Sequence, residues 1–220
     1  LCLISLSQPR CFFRLMREAV RLQKLQRRLT RAYEEKRLSL SSADERLIRF
    51  FVHRIMPYCT PVALDRAAAL VSRLCYPSAW RALSAVRSGC DFVVVSKSFH
   101  FLLEKVRQRA AACDVHLRVI GTRVRRGDTG WRVEVPMTRE EKAFQVRELL
   151  MDGAYGRAVV IGDTEDDIGM RDAAAEALGA ESVAFIALNA KDNEIKGIAD
   201  VSYPSWRLVG VFLRSWVAEA

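Results

Sequence analysis

Residues 158–170, "AVVIGDTEDDIGM", bring Asp163, Glu165, Asp166 and Asp167 together directly after an apolar run. Carboxylates gathered at a strand end repel one another unless a cation or a network of donors compensates. Two further groups take comparable places. Ser96 closes the apolar run "FVVVS", and Lys142 lies in the helical stretch ahead of "AVVIGD". A hydroxyl, an ammonium and the acids Asp163 and Asp167, converging at strand ends, suit a phosphate with magnesium. The hydroxyl and the lysine would hold phosphoryl oxygens while the acids ligate the metal directly or through water. Each part alone is ordinary, and a solvated helix start explains the acids as well. The ordered set is far more specific.

The elements that must position these groups follow from periodicity. "DFVVVS", "AVVIGD" and "SVAFIALN" are continuous apolar runs, the mark of strands covered on both faces. A helix is expected from about residue 99 to 112. "LRVIGTRVRRGDTGWRVEV" alternates on either side of Gly-Asp-Thr-Gly and predicts a β-hairpin near 117–136. "TREEKAFQVRELLMDG", "GMRDAAAEALG" and "YPSWRLVGVFLRSWV" read as helices. Strands alternating with helices predict an α/β, doubly wound parallel-sheet core, with ligands at the carboxyl ends of its strands.

The first part of the chain differs. "CLISL" at residues 2–6 reads as a short buried strand, ended by Ser7, Gln8 and Pro9. Residues 14–38 predict a long helix with Leu15, Ala19, Leu22, Leu25 and Leu29 on one side. Arg14, Arg17, Arg21, Lys24, Arg28 and Arg31 recur at steps of 3 or 4 on the other. Such a stripe is either a solvated helix face or one that tracks a phosphate backbone. "SSADERLIRFFVHRI" opens with a serine cap, "TPVALDRAAALVSRL" with Thr-Pro, and residues 77–87 form a further helix. The expected division is a strand and turn at 1–13, a helical insert at 14–80 and the α/β core at 81–220.

A chain of 220 residues with 50% hydrophobic residues can build a real core, and no apolar run approaches the ~18 residues of a membrane span. The six cysteines show no CxxC or CxxH spacing and read as thiols of a reducing compartment. The net charge of +9 is uneven, with residues 1–90 at +11 and residues 91–220 at −2. The positive part suits nucleic acid or another polyanion. Arginine, 28 of the 35 basic residues, reflects either a GC-rich genome or phosphate recognition, for which its fork is the better ligand. The chain opens at Leu1, which reads as a processed product or as a sequence whose start lies upstream. Its first 33 residues hold eight basic residues and one acid, Glu18, a composition similar to a mitochondrial targeting segment. The expected location is mitochondrial, with the cytoplasm as the alternative.

On these motifs the chain resembles the haloacid dehalogenase (HAD) superfamily, most closely its phosphoserine phosphatase-like branch with a small helical cap. "VVVSKSF" is similar to that family's second motif, Lys142 in "EEKAFQV" to the third, and "VIGDTEDDIGM" to the fourth, with Asp163 and Asp167 at its acidic positions. The resemblance implies a Rossmannoid core, a cap inserted after the first strand, and a hairpin between the second and third motifs. It also implies a first motif in which an apolar strand ends in Asp-x-Asp. There the first aspartate attacks phosphorus and ligates magnesium, and the second is the general acid/base. Here the strand reads "LCLISLSQP", placing Ser5 and Ser7 at those positions. Separations of 91 residues from Ser5 to Ser96, 46 to Lys142 and 21 to Asp163 agree with that register.

Serine cannot stand in for aspartate here. Without an adjacent base it is a poor nucleophile, it ligates Mg²⁺ weakly, and it exchanges no proton near neutral pH. Lys97 and Ser98 depart too, standing where the resembled branch carries small glycines; a lysine there would fill the pocket or neutralise leftover acids. The expectation is a catalytically inactive homologue with Ser5, Ser7, Ser96 and Lys142 vestigial and Asp163 and Asp167 at most a weak metal site. No cofactor is expected. Its expected role is structural, in a ribonucleoprotein such as a mitochondrial ribosome or its assembly intermediate. RNA or protein partners would be met through the basic helix and through Arg125, Arg126 and Arg132 of the hairpin. The alternative is an active Mg²⁺-dependent phosphatase of small phosphomonoesters whose Asp-x-Asp lies upstream of residue 1. A third reading holds a small phosphorylated ligand at Ser96 and Lys142 without turnover.

Overall fold

The computed structural model describes residues 12–128, 130–191 and 193–218, so the strand expected at 2–6, with Ser5 and Ser7, lies outside the described residues. The chain forms two compact units. One comprises Leu1–Leu74, Ser96–Val106 and Gly121–Thr138, the other Cys75–Val95, Arg107–Ile120 and Arg139–Ala220. No helix among the described residues is long and apolar enough to cross a membrane.

The first unit is led by three helices, α1 (Phe12–Glu34), α2 (Leu40–Arg54) and α3 (Pro61–Arg73). The Ser39 hydroxyl accepts from the Ser42 N–H at 3.2 Å, and that of Thr60 accepts from Ala63 N–H at 3.2 Å, with Pro61 opening α3. These caps satisfy donors that a helix start leaves orphaned. α1 stops four residues before the expected 38. Lys36 takes a left-handed φ of 56°, and the Arg37 N–H returns to the Ala32 carbonyl at 2.9 Å, closing the helix.

Leu15, Val52, Ile55, Met56, Cys59, Ala63 and Leu64 form this unit's core, joined by Phe99, Phe101, Val124, Trp131 and Val133. Phe99 lies 5.1 Å from the Phe51 ring and stacks on Phe101 at 5.6 Å. β1 (Phe92–Phe99), α5 (His100–Ala111) and β2 (Leu117–Gly127) carry the chain between units, and β3 (Gly130–Val135) returns antiparallel to β2. The hairpin arises where alternation and glycine placement predict it.

The second unit contains α4 (Pro77–Ser84), α6 (Arg139–Asp152), β4 (Ala158–Gly162), α7 (Asp166–Leu178), β5 (Val183–Leu188), α8 (Asn193–Ile198), β6 (Val201–Tyr203) and α9 (Trp206–Ala218). β4, β5 and β6 pair in parallel, Val160 opposite Phe185 and Ala187 opposite Ser202. Side chains alternate between two helical layers. Val160, Phe185 and Ala187 meet Ile168 of α7 and Ile195 of α8. Val159, Ile161 and Ile186 meet Leu83 of α4 and Val209 and Leu213 of α9. This is a parallel sheet wound on both faces, the α/β class expected.

Burial corrects one detail. "FVVV" of β1 and "AVVI" of β4 are half-buried along their length, whereas Ala184–Ala187 of β5 are fully buried. Among the described residues β5 is flanked on both sides, by β4 and β6.

Candidate functional site

The acid cluster sits where β4 gives way to α7. Asp167, in the first turn of α7, is 5% exposed, and its Oδ2 accepts from the backbone N–H of Asp163 at 3.0 Å and of Thr164 at 3.2 Å. The Thr164 hydroxyl donates to the same oxygen at 3.2 Å. Gly162 permits this clasp. A Cβ there would lie 2.6 Å from Oδ2 and closer still to the Asp167 Cβ. The other oxygen, Oδ1, lies 2.8 Å from Nζ of Lys142, which α6 delivers and which is itself 6% exposed. A buried carboxylate and a buried ammonium tolerate the interior because each neutralises the other and the remaining lone pairs find donors.

Its neighbours are disposed differently. Glu165 pairs with Arg139 at 2.7 Å, so α6 answers two of the four acids. Asp166 is buried in the first turn of α7, where a negative charge complements the helix dipole. Asp163 alone is exposed, and it lines a cavity of about 480 Å³ with Thr164, Glu165, Asn189, Lys191 and Ile195. The cavity opens at the carboxyl ends of parallel strands β4 and β5, where such a sheet places ligands.

The structure thus brings Lys142, Asp163 and Asp167 together in the second unit, as their spacing suggests. Ser96 belongs to the first unit; it is half-buried, and its hydroxyl accepts from the Ser98 N–H at 3.2 Å. Lys97 reaches Asp44 at 2.8 Å, so the charge it neutralises is on α2. The Thr122 hydroxyl donates to the Lys97 carbonyl at 3.0 Å and accepts from the Met137 N–H at 3.2 Å.

Magnesium asks for anionic oxygens with room for water around the ion. The described residues fit it poorly. Asp167 spends one oxygen on Lys142 and the other on three turn donors, leaving Asp163 as the only outward acid of the motif's two. No group of three or more His, Cys, Asp and Glu among the described residues is arranged to hold a metal.

The basic helix presents Arg14, Arg17, Arg21, Lys24, Arg28 and Arg31 at its exposed face, with Leu15 and Leu29 buried and Ala19, Leu22 and Leu25 half-buried. Glu18, which the stripe reading passes over, is 1% exposed and organises part of it. Arg21 lies 2.6 Å from its carboxylate, with Arg17 at 3.7 Å and Arg54 of α2 at 3.6 Å. The signal was present: Glu18 lies three residues after Leu15 and four before Leu22, on the apolar side. Arg14 stands 5.9 Å from the Tyr58 ring. Arg125 and Arg126 are exposed on the hairpin.

A parallel sheet wound on both faces, with a lysine from the preceding helix paired to an acid after its motif strand, defines a doubly wound α/β protein with an ion pair at its strand end. The family profile described as haloacid dehalogenase-like hydrolase matches residues 5–171, and the chain belongs to that family. Among solved structures it is similar to a cytosolic 5'-nucleotidase IIIB bound to cytidine. The TM-score is 0.58 at 15% identity, over 90% of this chain and 73% of that one, a likeness that speaks to the fold. Comparison with curated proteins gives no match.

Proposed function

We propose that this HAD-fold chain is a non-hydrolytic module, retained as a structural, RNA-contacting component of a large ribonucleoprotein. The setting we assign is a mitochondrial ribosome or its assembly intermediate, on the strength of the arginine-rich opening segment. One observation carries the loss of chemistry: the register that should supply facing carboxylates supplies Ser5 and Ser7, while Asp167 is occupied by Lys142 and its own turn. The exposed cationic face of α1 supports the RNA contact, since arginine forks match phosphate oxygens.

Co-sedimentation of the full chain with ribosomal particles across a salt series tests this reading. Association that weakens as salt rises is expected; a free monomer at every salt concentration overturns it. The second reading, an Mg²⁺-dependent phosphomonoesterase with its nucleophile upstream, is favoured by one observation, the exposed Asp163 at a cavity of about 480 Å³. Turnover of p-nitrophenyl phosphate that requires Mg²⁺ and vanishes in Asp163→Asn would establish it. Absence of turnover in a chain extended to its natural start removes it.

A further inference from the structure

The exposed face of α1 divides in two. In its first half, Phe13, Met16 and Val20 put apolar surface into solvent, and the cations are engaged. Arg17 and Arg21 meet Glu18, and Arg14 stands 5.9 Å from the Tyr58 ring. In its second half every exposed residue from Gln23 to Glu34 is polar. Lys24, Arg27, Arg28 and Arg31 take the positions i, i+3, i+4 and i+7, which share one helix face. All four are exposed, and among the described residues no carboxylate forms an ion pair with any of them. Like charges three and four positions apart repel, so the row weakens its own helix. A shallow groove of about 480 Å³ beside the row is lined by Gln23, Gln26, Arg27, Thr30, Arg31 and Glu34.

We infer that this second half of α1 binds the sugar–phosphate backbone of double-stranded RNA without reading its bases. Four cations with no internal counter-charge call for a polyanion, and a phosphate between neighbouring cations removes their repulsion. Side-chain chemistry chooses among polyanions. With no apolar group exposed on this stretch there is nothing to enter a lipid surface, and with no aromatic ring exposed there is nothing to stack unpaired bases. Neutral donors are present instead. Gln23, Gln26 and Thr30 line the groove with Arg27 and Arg31, and they match the 2′-hydroxyls that the wide, shallow minor groove of an RNA duplex displays. From Lys24 to Arg31 the helix rises about 10 Å, a stretch that meets more than one phosphate of a strand. Glu34 ends the row, because its exposed carboxylate lines the same groove and repels the next phosphate. The inference rests on the RNA-contacting reading above, and narrows it from the whole stripe to four cations and from RNA to its duplex form.

The test is a fluorescence-anisotropy titration of the full chain, from low to high salt, with a labelled RNA duplex of about 20 base pairs, the DNA duplex of the same sequence and the single RNA strand. The RNA duplex is expected to bind most tightly. Arg27→Gln should weaken it about fivefold at low salt and make the log K against log salt slope shallower by roughly 1. Arg14→Gln, an equal loss of charge in the first half of the helix, should cost clearly less. Glu34→Gln should tighten binding about threefold at an unchanged melting temperature, since it removes a carboxylate from the phosphate's path. Equal losses in Arg14→Gln and Arg27→Gln would show the contact to be diffuse and overturn the inference, as would a Glu34→Gln chain that binds like wild type. Tighter binding of the single strand, or equal binding of the DNA duplex, overturns the duplex assignment. In each of these cases wild type still binds RNA, so the RNA-contacting reading stands. Equal competition by poly-glutamate and by unlabelled RNA of the same charge would overturn the inference and reassign the face to an acidic protein. Wild type that binds no RNA at any salt sinks the RNA-contacting reading itself.

Discussion

Two regions concentrate like charge, and they resolve it in opposite ways. After β4, Glu165, Asp166 and Asp167 stand in three consecutive positions, and Arg139, Lys142 and the turn's own N–H groups answer Glu165 and Asp167 from within the second unit. On α1 of the first unit, guanidiniums stand in a row at the surface, and Glu18 meets Arg17, Arg21 and Arg54. Charge consumed internally holds a fold together but has little left for a ligand. Charge turned outward contributes little to the fold and is available to a partner.

Removing the internal answer should break the comparison most forcefully. Lys142→Met leaves Asp167 buried without its cation, and a loss of roughly 3–5 kcal/mol in urea unfolding is expected. A loss below about 1 kcal/mol would mean the pair is not what holds α7 to α6. Gly162→Ala attacks the same acid from the other side. Its methyl would displace Asp167 from the turn donors, and a cost of roughly 1–3 kcal/mol is expected by the same assay. Wild-type stability in that variant would show that the clasp relaxes freely.

Asp91 offers a milder case, an acid answered by a neutral hydroxyl. Tyr155 donates to it at 2.7 Å, and that hydrogen bond, then burial and the nearby charge, raise the phenol above the ordinary tyrosine range. The folded state therefore holds this proton more tightly than the unfolded chain. The contribution is complete below the unfolded phenol's pKa and is lost as pH rises through the folded one. Melting curves of wild type and Tyr155→Phe should converge under strongly alkaline conditions; a constant gap at every pH would contradict the assignment. On the outward side, Lys24→Gln/Arg28→Gln should shift unfolding by no more than about 0.5 kcal/mol, as for exposed substitutions generally. A larger loss would place those cations among the structural ones.

Much of this was legible before any coordinates. Long apolar periods placed α1, α2, α3, α6 and α9, and the spacing of Lys142 to Asp163 and Asp167 anticipated their meeting. Short elements escaped. α8 spans only Asn193–Ile198 and β6 only Val201–Tyr203, too brief for a period to register. α7 begins at Asp166, three residues before the expected glycine, because the turn's N–H groups fold back onto Asp167. Pairings between distant segments were invisible: nothing local in "VVVSKSF" says that Lys97 will find Asp44, 53 residues away. Glu18 is passed over for its type, although its place between Leu15 and Leu22 sets it on the apolar side.

The packing of Phe99 and Phe101 has a consequence for how the first unit comes apart. Their rings, with Val124 and Val133, share one core with α1–α3, and Lys97 fastens the strand's end to α2. Opening that insert as a lid would draw aromatic side chains into water. The insert and the hairpin should therefore behave as one cooperative foldon. Amide hydrogens of Val52 in α2 and Val133 in β3 should exchange with a common opening free energy. Independent opening of the two would show the helices to be a hinged lid instead of a wall.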